Sequence, residues 1–146
     1  MADKAALARS LYDAFNNRDF DLQAEAVAPD GSLTIVGTGQ TFIGPDGARQ
    51  YNTMWATAFP DGMVIVDRVI AQDDHVVVEF TGRGTHTGPL VSAAGDIPAT
   101  GREATLQFVD VYEFVGDKIK TQHNYFDSGA LMAQLGVGAV ESTSAE

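Results

Sequence analysis

The chain contains no cysteine in its 146 residues, so disulfides, thiolate zinc sites and a cysteine nucleophile are excluded. Basic residues are scarce. Nine Lys and Arg stand against twenty Asp and Glu, a net charge of −11, and no basic cluster interrupts the pattern, which argues against nucleic-acid and anionic-membrane partners. No apolar run approaches the ~20 residues of a membrane span, and Met1 to Ser10 lacks the basic-then-apolar order of a signal peptide. The expectation is a soluble, cytoplasmic chain. Glycine-rich phosphate loops, nucleophile elbows and zinc-protease helices are also missing. What is present is a 45% hydrophobic content, enough for one globular domain that buries roughly two thirds of its unfolded surface.

The most informative stretch runs from Arg102 to Asp127 and reads as two strands joined at Gly116-Asp117. Taken every second residue, Ala104, Leu106, Phe108, Asp110, Tyr112 and Phe114 fall on one side. That row is apolar except at Asp110. A carboxylate on a core-facing row must find hydrogen-bond partners, reach a cavity, or take up a proton more readily, because an unpaired buried charge is too unfavourable to persist.

Upstream, Leu7, Leu11, Ala14 and Phe15 recur at helical spacing, with Asp3 as N-cap and Asn16-Asn17-Arg18 as the stop. Asp19 caps a second, shorter helix in which Phe20, Ala24 and Val27 share a face, ended by Pro29-Asp30-Gly31. Ser32 to Gly37 is a short β-prone run. A third helix starts at Gly44-Pro45-Asp46 and carries Ala48, Tyr51, Asn52, Trp55 and Phe59 on one face until Pro60-Asp61-Gly62. Met63 to Ala71 and His75 to Thr87 form an antiparallel hairpin, and Val76, Val78 and Phe80 continue in phase through Gly82 and Gly84 to His86 unless a bulge intervenes at the glycines. Gly88 to Gly101 is an irregular loop long enough to rim or cover a cavity. A last short helix follows Asp127 and ends at Gly136, and 137–146 reads as a flexible acidic tail beyond a single domain of residues 1–136.

Helices first and antiparallel strands after, with one helix inserted, predict an α+β fold in which a curved, mostly antiparallel sheet closes as an open cone over its helices and encloses a small-molecule pocket.

Several segments together resemble the SnoaL-like polyketide cyclases and related ester cyclases of the nuclear transport factor two-like superfamily. They are Ala14-Phe15-Asn16, Ile43-Gly44-Pro45-Asp46-Gly47, Ala58-Phe59-Pro60-Asp61, Gly84-Thr85-His86-Thr87-Gly88, Pro98-Ala99-Thr100-Gly101-Arg102, Val109-Asp110-Val111-Tyr112, Asp117-Lys118-Ile119 and Gln134-Leu135-Gly136. The resemblance implies a cone-shaped α+β barrel, a homodimer through the outer face of the sheet, and chemistry without metal or organic cofactor. In the cyclases of this family an aspartate on the last strand is the acid/base of an intramolecular aldol condensation. Here the matching position holds Asn124, the preceding strand's histidine position holds Asp110, and a helix-one tyrosine position holds Phe15. Either Asp110 carries the acid/base role or the aldol chemistry is absent.

The candidate catalytic residues are therefore Asp110 as acid/base, His86 as its partner, and Asn124 as a donor to an enolate oxygen, with Asn52 beside it. Tyr51, Trp55, Phe59, Phe108, Tyr112, Phe126 and Phe15 are the candidate lining for a small hydrophobic carbonyl compound. His123 alternates away from Asn124, towards the outer face, which separates it from His86 and Asp110 as a metal set. A non-catalytic hydrophobic-ligand carrier or association domain on the same fold is the competing expectation.

Overall fold

The computed structural model describes residues 3–92 and 95–137. Helix α1 (Lys4–Asn16) begins where the Asp3 carboxylate accepts the backbone N–H groups of Ala5 and Ala6, two of the donors a helix start leaves unpaired. It ends at a sharp reversal through Arg18, whose φ is +59°. Asp19 then caps α2 (Phe20–Glu25).

The sheet has six strands: β1 (Val27–Ile35), β2 (Gln40–Ile43), β3 (Met63–Gln72), β4 (His75–Thr85), β5 (Glu103–Val115) and β6 (Lys118–Phe126). Their spatial order is β2-β1-β6-β5-β4-β3, with β1 parallel to β6 and every other pair antiparallel. Helix α3 (Gly44–Ala58) opens with Pro45 in its first turn, and α4 (Ser128–Leu135) closes on Gly136 at φ +71°. The curved, open mixed sheet and its helices are the expected α+β arrangement. Helices α1, α2 and α3 cover its inner face, and the larger of two core clusters among the described residues joins Leu11 and Tyr12 to Val76, Val78, Phe80, Leu106, Phe108, Tyr112 and Phe114.

Two local expectations differ. Val27 opens β1 instead of closing α2, and Pro29-Asp30-Gly31 lies inside that strand, where the pairing with β6 shifts between Val27 and Ser32. Residues with turn chemistry serve here as a strand irregularity, and Gly31 is required because a Cβ there would stand 2.6 Å from the Ile119 carbonyl oxygen. Strand β2 has no counterpart in the expected elements. It is a four-residue edge strand, paired to β1 through Leu33 and Phe42 and a Thr34–Thr41 hydroxyl contact of 3.0 Å, too short to show alternation. Strand β4 keeps the expected phase past Gly82 and Gly84 along β5, and the register shift of the β3–β4 pair falls between Val66 and Arg68. The expected acidic tail lies, from residue 138 onward, outside the described residues.

Candidate active site

The inward row of β5 is buried at every expected position from Ala104 to Phe114, and Asp110 is 3% exposed on it. Asp110 stands directly opposite Asn124 on β6. Cross-strand neighbours on one face lie within side-chain reach, and Asn124 donates Nδ2–H to Asp110 Oδ1 at 2.8 Å. From α1, the Tyr12 hydroxyl donates to Asp110 Oδ2 at 2.6 Å. Two positions along β5, the Tyr112 hydroxyl sits 2.8 Å from that of Tyr12 and 3.4 Å from the same carboxylate oxygen.

Tyr12 is held there by the anchoring of its helix. The Asn16 amide makes a two-way bond with the Val64 backbone at 2.9 and 2.8 Å, stitching α1 to β3. The Arg18 guanidinium meanwhile gathers the carbonyls of Phe15, Pro60 and Gly62. The hydroxyl is thereby delivered from the helix layer to the sheet without a cation nearby.

All the groups that bond Asp110 are neutral donors, and this sets its electrostatics. Burial pushes its carboxyl above the ordinary aspartate range, while hydrogen bonds from Tyr12, Asn124, Gln122 and Tyr112 pull the other way without cancelling the shift. Burial and then the Asp110 charge push both tyrosine hydroxyls upward, so Tyr12 and Tyr112 remain proton donors. Tyr51 is raised for the same two reasons.

A cavity of about 110 Å³ opens beside this group. Phe15, Tyr51, Asn52, Trp55, Phe59, Phe108, Asp110 and Tyr112 line it, as do Tyr12, Gln23 and Gln122. The remaining candidates lie elsewhere. Asn124 is completely buried behind Asp110 and does not line the cavity; its amide positions the carboxylate, and its Oδ1 has no partner among the described residues. Phe126 faces a second cavity. Asn52 lines the cavity wall but turns its Nδ2–H back to the Ala48 carbonyl at 3.0 Å.

His86 is buried in phase with Val76 and Val78, as the alternation requires, yet it does not meet Asp110. Val78 is the β4 residue opposite Asp110, and eight further residues at ~3.3 Å each put His86 roughly 26 Å along the strand. Its ring packs on Phe59, its Nδ1 accepts the Thr100 N–H at 3.2 Å, and burial lowers its affinity for a proton. It fastens the 88–101 loop. His123 is exposed on the opposite face, and among the described residues no group of three or more His, Asp or Glu side chains is placed to hold a metal ion.

Tyr12 and Gln122 are the residues that sequence reasoning missed. Tyr12 is four residues from Ala8 and three from Phe15 on the buried stripe of α1, and Gln122 is two residues from Asn124 on β6. Each spacing puts its residue on a buried face, and neither names Asp110 as the partner.

The sequence model of the SnoaL-like polyketide cyclase family matches residues 5–135. Among solved structures, IdmH of Streptomyces antibioticus, a candidate polyketide cyclase, is 25% identical over 93% of this chain and all of its own, with a TM-score of 0.76. An NTF2-like protein of unknown function from Burkholderia pseudomallei is 26% identical over 92% of this chain and 98% of its own, with a TM-score of 0.74. AclR of Streptomyces galilaeus, a candidate hydroxylase, shares the fold at 22% identity and a TM-score of 0.76, covering 93% of this chain and 97% of its own. A search of curated proteins finds no match.

Proposed function

The chain belongs to the SnoaL-like polyketide cyclase family, and from that premise we propose that it binds a hydrophobic, aromatic or polyketide-like carbonyl compound in the cavity and catalyses proton transfer on it without a cofactor, with ring closure or isomerisation as the outcome. The observation that carries this reading is the buried carboxyl of Asp110, bordered by the cavity and held by neutral donors alone. Among the described residues lining the cavity it is the one carboxyl, and the tyrosines beside it stay protonated.

As a base, Asp110 removes a proton from carbon next to the substrate carbonyl. A carboxyl raised towards the working pH is better matched to that task than an ordinary aspartate. The developing enolate oxygen is met by the Tyr112 hydroxyl, turned from its 2.8 Å contact with Tyr12, since the one hydroxyl proton of Tyr12 is given to Asp110. The carbanion then closes on a second carbonyl of the same molecule, and Asp110 returns its proton to the alkoxide. Asn124 acts behind the carboxylate, as a positioning residue. In the cyclases that the sequence resembles, an aspartate at the position of Asn124 is the acid/base; here that role falls to Asp110, opposite it on the neighbouring strand.

Exchange of the α-protons of acetophenone for deuterium, followed by proton NMR in deuterium oxide, tests the proposal. The protein should accelerate exchange, and Asp110→Asn should reduce that acceleration by about 10²- to 10⁴-fold while the ketone still binds. Equal exchange in the two proteins would remove Asp110 from the mechanism and leave the ligand-carrier reading.

A homodimer through the outer sheet face belongs to the same proposal. Its support is a half-exposed apolar row in which Ile70 faces Val77, Val77 faces Val111, and Val109 faces Tyr125.

A further inference from the structure

The cavity beside Asp110 is small. At about 110 Å³ it is well below the ~300–1,000 Å³ usual for sites that enclose a whole drug-sized ligand. A polyketide-sized molecule therefore has to place most of itself elsewhere. A second cavity of about 360 Å³ lies on the far side of Trp55, walled by Met54, Leu90, Ile97, Leu131 and Met132. Among the described residues Trp55 alone lines both spaces.

The partition between them is aromatic. The Trp55 ring meets Phe108 edge-on at 5.8 Å and Phe126 edge-on at 5.5 Å, and those two phenyl rings are 5.2 Å apart. Phe108 borders the inner space and Phe126 the outer one. What meets between the two spaces at this point is these three side-chain rings, and side chains turn more readily than strand or helix backbone. The outer wall is also adaptable, since two of its residues are methionines, whose unbranched side chains refit to different shapes.

We infer that the two spaces form one divided site: the inner chamber takes a compact, carbonyl-bearing end no larger than a single ring, and the outer chamber takes an apolar extension that passes the Trp55 partition. The substrate class is thus an elongated ketone that presents its reactive end to Asp110. This inference rests on the reading of the inner cavity as the reaction chamber, but it concerns binding, so it can fail while that reading stands.

The chain has a single tryptophan, which makes Trp55 fluorescence a direct reporter at the partition. Acetophenone and 4′-hexylacetophenone differ only by the extension. The unmodified protein should bind the hexyl compound at least about tenfold more tightly, given roughly fourfold per fully buried methylene. Met132→Phe and Ile97→Phe, each of which crowds the outer chamber, should each reduce that advantage below about threefold and leave acetophenone affinity within about twofold. The second probe controls for folding in both variants. The inference is overturned by an absent hexyl advantage, by an advantage that survives in both variants, or by equal weakening of both probes. Persisting Asp110-dependent exchange of acetophenone in any of those cases keeps the proposed function intact.

Discussion

Asp110 was legible because an acid on an otherwise apolar alternating row has few bland explanations, and the structure places it on that row, beside a cavity. Its partners were less legible. Alternation tells which face a residue shares but not how far along the strand it lies, so His86 had the right phase and the wrong position. Tyr12 reaches Asp110 across 98 positions of sequence, a distance that no local pattern spans. Its place depends on the Asn16 and Arg18 anchors of α1, which are tertiary contacts. The carboxyl's raised proton affinity has a consequence for stability. Between the unfolded and folded titrations of Asp110 the folded chain binds the extra proton, so stability falls as pH rises through the folded value. Asp110→Asn removes the buried charge, and its melting temperature should exceed that of the unmodified protein at pH 8, with the gap shrinking towards pH 4. A gap independent of pH would mean that the folded and unfolded carboxyls titrate alike.

At the scale of elements, the long amphipathic pieces were readable and the short ones were not. Helix α3 declared itself by Pro45 at its start and by the spacing of Tyr51, Asn52 and Trp55. Strand β2 and the irregular start of β1 exist because neighbours accept them: Gly31 lets the chain pass close to Ile119, and β2 has β1 on one side only. The junction between α3 and the 88–101 loop is equally tight. Thr87 and Gly88 both donate to the Ala58 carbonyl, and a Cβ on Gly88 would run into the Thr57 carbonyl oxygen. Backbone cannot yield as a flexible side chain can. Gly88→Ala should therefore destabilise the protein by about 1–3 kcal/mol, measured by urea unfolding; a change within a few tenths would show that the loop shifts freely away from α3.

For the whole molecule, composition excluded more than it identified. A charge of −11 says nothing about which ketone binds, and among the described residues no helix is long and apolar enough to cross a membrane. The cone itself followed from element order, because three helices and an antiparallel sheet bury their apolar faces only by packing layer on layer. The two-chamber interior did not, since cavity volume depends on ring orientations that a sequence leaves open. The outer face carries the remaining expectation. Val111 lies near the middle of the half-exposed row, so Val111→Glu should shift sedimenting protein from dimer to monomer. Because two copies of this acidic chain repel, added salt should strengthen association of the unmodified protein. Unchanged mass in the variant would place any dimer contact elsewhere.

The central claim is that burial turns Asp110 into an acid/base poised beside the cavity. Carbon-13 NMR of the aspartate carboxyls across a pH titration, with Asp110→Asn to assign the signal, measures this directly. The account predicts a midpoint clearly above the ordinary value of ~3.9; a midpoint at or below it would mean that the tyrosine and amide donors outweigh burial, leaving a structural carboxylate instead of a catalytic one.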